Sequence, residues 1–95
     1  MLLFAKFRVV GHSMEPLIKS GETVLVSSVF YWFKKPKIGD IVAFRDKEAV
    51  LIKRITKVDK GKYFLEGDNK KDSLDSRKLG LISRDKILGE IIYRL

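Results

Sequence analysis

The sequence contains no cysteine. That excludes a disulfide scaffold, thiolate zinc or iron–sulfur ligation, and a cysteine nucleophile, while leaving the compartment open. Histidine occurs once, at His12, too little for a serine–histidine–acid triad unless that one residue sits well. Long apolar runs are also missing. The longest uncharged stretch, Thr23 to Phe33, has 11 residues and includes two serines, whereas a membrane-crossing helix needs about 20. Met1–Ala5 is apolar, but Lys6 and Arg8 interrupt it before it reaches the roughly 7–15 residues of a secretory apolar core. Acidic surplus is absent too: 20 Lys and Arg face 12 Asp and Glu, a net charge of +8. Such a balance is drawn to phosphate, in nucleic acid or in lipid headgroups, without distinguishing them.

What is present points to a folded domain. Apolar residues make up 45% and aromatic residues 11% of 95 residues, too hydrophobic for a disordered chain and sized for one domain spanning 1–95. Glycines and prolines divide the chain into short β-branched and aromatic runs. These predict strands at Phe7–Val10, Thr23–Ser28, Asp40–Phe44, Ala49–Val58, Lys62–Glu66 and Ile87–Arg94. One helical turn is expected at Met14–Ile18 after Ser13, another after Ser83. The fold class is mainly β: a small antiparallel barrel or folded sheet.

The run Ala49–Val58 carries the first chemical hint. Side chains alternate across a strand, so Lys53 shares a face with Leu51 and Ile55. The opposite face, with Val50 and Ile52, is apolar too, and burial on both sides follows. A lysine on a dry face loses solvation of its ammonium form. Alternatively, its stem covers apolar neighbours while its head reaches water.

Gly11-His12-Ser13-Met14-Glu15-Pro16 follows a strand and opens a turn. A serine there can be exposed among free backbone N–H groups, as a nucleophile and its oxyanion hole require; it can equally cap a helical turn. His12 is a poor base for it, because adjacent residues in extended backbone point opposite ways. A neutral lysine can take that role.

Four segments in order then resemble the boxes of type I signal peptidases, the Ser/Lys endopeptidases of class S26: Ser13-Met14-Glu15-Pro16, Gly39-Asp40-Ile41-Val42, Lys53-Arg54, and Gly67-Asp68-Asn69 with Ser73-Leu74-Asp75-Ser76-Arg77 and Gly80. The resemblance runs from about Phe7 to Ile92. It implies Ser13 as nucleophile, Lys53 as general base, Ser73 as a hydrogen-bond partner of that lysine, and Asp68, Asp75 and Arg77 as a charged cluster bracing the site. It implies no metal or organic cofactor, and a precursor protein with an N-terminal signal or leader peptide as partner. Substrate pockets in the family are shallow and apolar; Met14, Leu17 and Ile18 are candidates by proximity alone. Some members place an oxyanion hydroxyl two residues before the nucleophile, where this chain has Gly11.

Typical members carry membrane-spanning helices before the serine box, whereas 12 residues precede Ser13 here. An excised catalytic domain, membrane-associated, and a minimal cytoplasmic member are the two expectations. Length and the Gly-His-Ser-Met-Glu-Pro box resemble the short branch that matures nickel-type superoxide dismutase. The segment Phe30-Tyr31-Trp32-Phe33, followed by Lys34-Lys35-Pro36-Lys37, suits a loop touching anionic headgroups or the aromatic core of a small barrel. A basic nucleic-acid-binding barrel is the rival of another class, but the aromatics cluster in one loop and no RNP-like motif occurs.

Overall fold

Alternating apolar side chains form strands where both faces find cover, and the centre of this chain supplies that cover. A computed structural model describes residues 4–71 and 79–95. Its strands are β1 (Phe4–Arg8), β2 (Thr23–Ser27), β3 (Ile41–Asp46), β4 (Ala49–Asp59), β5 (Lys62–Glu66), β6 (Ile82–Ser83) and β7 (Ile87–Arg94). They form one seven-stranded sheet in the order β1-β2-β7-β3-β4-β5-β6, with every neighbouring pair antiparallel. The mainly β expectation holds. Among the described residues no helix is long and apolar enough to cross a membrane.

β3 and β4 send alternate residues to two apolar clusters. Val42, Phe44, Leu51 and Ile55 join Tyr31, Tyr63, Leu65 and Ile87 in one. Ile41, Ala43, Val50 and Ile52 join Met14, Ile18, Val24 and Val26 in the other. β7 fits between β2 and β3 because Gly89 carries no side chain: a Cβ there would lie 2.5 Å from the Ser27 carbonyl oxygen, far inside contact distance.

Local differences from the sequence reading have local causes. β1 starts earlier than expected and stops at Arg8; Val9 still pairs through its N–H to Glu22 and its C=O to Gly21, beyond the regular ladder. Met14–Ile18 does form the single turn expected, closed by an Ile18 N–H to Met14 C=O bond, and goes no further into helix. A 3-10 turn at Val29–Trp32 stands where loop was expected, wound because Tyr31 turns inward to 7% exposure. Ser83 heads the 3-10 turn Arg84–Lys86 as expected, but its hydroxyl bonds the Asp85 carboxylate instead of a backbone N–H. β4 bulges between Ile55 and Lys57, so Lys57 leaves the Leu51–Lys53–Ile55 face and is exposed.

Candidate active site

Ser13 sits in the turn that follows β1, with Met14 beneath it at 1% exposure. It heads no helix, so it has no helix to cap. The turn is held from outside. The Asn69 N–H donates to the Ser13 carbonyl at 2.7 Å, the Asn69 side-chain amide donates to the His12 carbonyl at 3.0 Å, and the Asp68 N–H meets the Met14 sulfur at 3.5 Å. His12 directs Nδ1 to the Glu15 carboxylate, 2.6 Å away. That hydrogen bond holds the Glu15 carboxyl below its ordinary range.

Lys53 lies on β4 opposite Val42 of β3, at 3% exposure. The alternation of β4 places it on the dry face that the sequence indicated. Ser13 and Lys53 line one cavity of about 190 Å³, together with Phe7–Val10, Met14 and Val50–Ile52. Two strand edges meet there. Among the described residues β1 is the first strand of the sheet, paired with β2 on one side only. β4 pairs with β5 only from Arg54 onward, so among the described residues no strand takes the β5-side edge of 49–53.

Arg54, next to Lys53, reaches the other way. Its Nε and one terminal nitrogen donate to the two Asp68 oxygens at 2.9 and 3.0 Å, and the other terminal nitrogen donates to the Gly39 carbonyl. A two-pronged pair of this kind fixes orientation as well as contributing energy. Its hydrogen bond to Asp68, ahead of the opposing effect of burial, holds Arg54 above its ordinary value. Gly39 and Asp40 do more than start a strand. The Gly39 N–H donates to the Ile55 carbonyl and the Ile55 N–H donates to the Asp40 carbonyl, extending the β3–β4 ladder. The Asp40 carboxylate, at 6% exposure, accepts from the Tyr31 hydroxyl at 2.7 Å and from Lys37. Burial pushes that carboxyl up, but the hydrogen bonds outweigh it and the group titrates below its ordinary value. Glu90, on β7, is raised by burial first and then by the Asp40 charge. Tyr31 is raised as well, by burial and by its bond to Asp40.

The structure thus brings together Ser13, Met14, Lys53 and, through Asn69 and Arg54, Asp68. It does not gather every candidate. Leu17 and Ile18 line a separate cavity with Ile41 and Ile91–Arg94. Phe30, Trp32 and Phe33 are exposed, at 49, 47 and 83%, while Tyr31 faces the core; all lie away from the Ser13 cavity. Ser73, Asp75 and Arg77 lie outside the described residues. Arg54 and Asn69 had no assigned role in the sequence reading. A charge at position 54, on the same face as Val50 and Ile52, was a signal that a partner had to exist; Asn69 carried no comparable mark.

The family described as signal peptidase, peptidase S26, matches residues 1–57 and 55–95, two segments meeting where β4 bulges. Signal peptidase I T of Bacillus subtilis is 28% identical over 92% of this chain and 71% of its own length. That alignment runs to 137 residues, more than this chain possesses, so the relative carries stretches with no counterpart here. Signal peptidase I of Bacillus amyloliquefaciens is 40% identical over 82% of this chain and 46% of itself. Signal peptidase IB of Staphylococcus aureus is 49% identical over 39% of this chain and 19% of itself. With the family pattern matched along both halves of the sequence, the chain belongs to the S26 family of signal peptidases.

Proposed function

We propose that this protein is a serine endopeptidase that removes N-terminal signal or leader peptides, with Ser13 as nucleophile and Lys53 as general base. The observation that carries the reading is that a turn serine and a lysine at 3% exposure line one cavity between two strand edges. Burial disfavours the ammonium form of Lys53, and a neutral amine is what the first step needs. Lys53 Nζ takes the proton as Ser13 Oγ attacks the scissile carbonyl carbon. The leaving amine departs with that proton, and an ester joins the acyl group to Ser13. Lys53 then takes a proton from water as it attacks the ester, and passes that proton to Ser13 Oγ as the acyl–oxygen bond breaks, which frees the new carboxyl end and restores both side chains. Backbone N–H groups of the serine turn would face the oxyanion, each such donor typically contributing about 2.7–4 kcal/mol. An extended substrate segment fits the cleft because the edges of β1 and β4 both border it and can offer main-chain partners. Asp68, Arg54 and Asn69 position the two reacting side chains, and Ser73, Asp75 and Arg77 belong to the same brace on the family resemblance.

The test is mass spectrometry of a secretory precursor with an Ala-x-Ala site, incubated with the intact protein. Cutting after the final alanine is expected, abolished by Ser13→Ala and by Lys53→Ala with the fold retained. Lys53→Arg should fail equally, since arginine keeps its proton; retained activity in that variant would refute lysine as the base. Cutting confined to a nickel superoxide dismutase precursor would keep the dyad and change the substrate.

A further inference from the structure

His12 and Glu15 bracket the nucleophile, and neither takes part in the chemistry set out above. Residues 12–15 form a turn whose main chain is closed by the Glu15 N–H, donating to the His12 carbonyl at 3.1 Å. Ser13 and Met14 are its two central residues. The Met14 side chain is sunk in the core, so the aim of Ser13 depends on how firmly the two ends of the turn are held. Asn69 ties the His12 end to the segment after β5, through the His12 and Ser13 carbonyls. The Glu15 end is joined to that tie by a side-chain bond: His12 Nδ1 and the Glu15 carboxylate lie 2.6 Å apart. The two side chains face solvent, at 59 and 33% exposure, and ion pairs so placed add little to the stability of a whole fold. Their effect is local to the serine turn.

We propose that His12 and Glu15 are positioning residues, a clasp that holds Ser13 Oγ in line for attack and is tightest when the imidazole carries its proton. The inference rests on the peptidase reading of Ser13 and Lys53. His12 does not receive the serine proton; it acts through the turn. A hydrogen bond between two charged partners is stronger than one from a neutral ring, and a histidine changes charge between about pH 5 and pH 8. The clasp therefore slackens as pH rises through that range, while Lys53 gains the neutral form that catalysis needs. Charged groups reach the turn from each neighbouring segment. Lys19 bears on the Glu15 carboxylate, Arg8 and Lys53 line the cavity with Ser13, and Asp68 is taken up by Arg54.

Steady-state cleavage of a precursor peptide is followed across the histidine range. His12→Ala and Glu15→Ala should each lower kcat about tenfold with KM nearly unchanged, and the double variant should be no worse than either, because both remove one contact. Glu15→Gln, which keeps an acceptor oxygen without the charge, should fall between. The kcat ratio of the unaltered protein to Glu15→Ala should shrink about threefold from about pH 5 to about pH 8; Lys53 titrates in both proteins and cancels. Melting temperatures should stay within about 2 °C, which separates positioning from folding. A ratio flat with pH, or losses that multiply in the double variant, overturns the proposal. So does an inactive His12→Ala beside a fully active Glu15→Ala, which would make the imidazole itself the base. His12 is the sole histidine, so its ring protons report the pair by NMR without turnover. Their titration should move to lower pH in Glu15→Gln, and an unmoved titration overturns the clasp while leaving the peptidase reading standing. Cutting that survives Ser13→Ala removes the peptidase reading and this inference with it, a result that no His12 or Glu15 variant can mimic.

Discussion

Asn69 secures two consecutive carbonyl groups at the serine turn, one through its backbone N–H and one through its side chain. Only the second bond can be removed by mutation. Asn69→Ala should therefore loosen the turn without dissolving it, costing about 0.5–1.5 kcal/mol of stability as a lost hydrogen bond. Its larger effect should fall on turnover, because small displacements of reacting atoms are expensive. We expect kcat to drop roughly tenfold to a hundredfold with KM nearly unchanged; steady-state kinetics on a precursor peptide checks this, and a pure KM effect would assign Asn69 to substrate binding instead. The burial of Lys53 could be read from the sequence because Leu51 and Ile55 flank it on one strand face. The clamp by Asn69 could not, since it joins residues 57 positions apart and depends on where the chain goes after β5.

At the scale of elements, strand positions followed from β-branched and aromatic runs: β5 and β7 fall where those runs predicted them, and β2 to within one residue. What escaped were segments whose shape is set by partners. β6 is two residues long and exists because β5 offers it an edge. The 3-10 turn at Val29–Trp32 winds to deliver the Tyr31 hydroxyl to Asp40. The turn between β4 and β5 offers a test of local strain. Lys60 and Gly61 both have positive φ, 50° and 78°, and Asp59 faces Lys62 across them. This is the mirror-image two-residue turn that favours Asn-Gly. An ordinary side chain at such a position costs roughly 1–2 kcal/mol. Lys60→Asn should recover about 0.5–1 kcal/mol, seen as a melting temperature raised by about 2–8 °C.

The whole molecule carries opposed acid responses. Charged Glu90 is disfavoured by burial and by Asp40; its folded-state value lies above the unfolded one, so its charge destabilises the fold at neutral pH and the penalty fades as pH falls. Asp40 behaves oppositely. Its hydrogen bonds outweigh burial, so its contribution is present above the ordinary carboxylate range, near pH 4, and is lost on further acidification. Glu90→Gln should thus be more stable than the native protein at pH 7, and its advantage in urea unfolding should shrink as the buffer is taken toward pH 4. A constant advantage across that range would trace the gain to packing instead.

The order of the strands also bears on what ties the two sides of the cleft together. β1 and β2 form one hairpin unit, with Ser13 in the connection between them, and β3 to β6 form another that includes Lys53. Among the described strands, only β7 hydrogen-bonds to both β2 and β3. The sheet thus joins the unit carrying Ser13 to the unit carrying Lys53 through a single strand, and the Asn69 clamp on the serine turn is a second tie across the same divide.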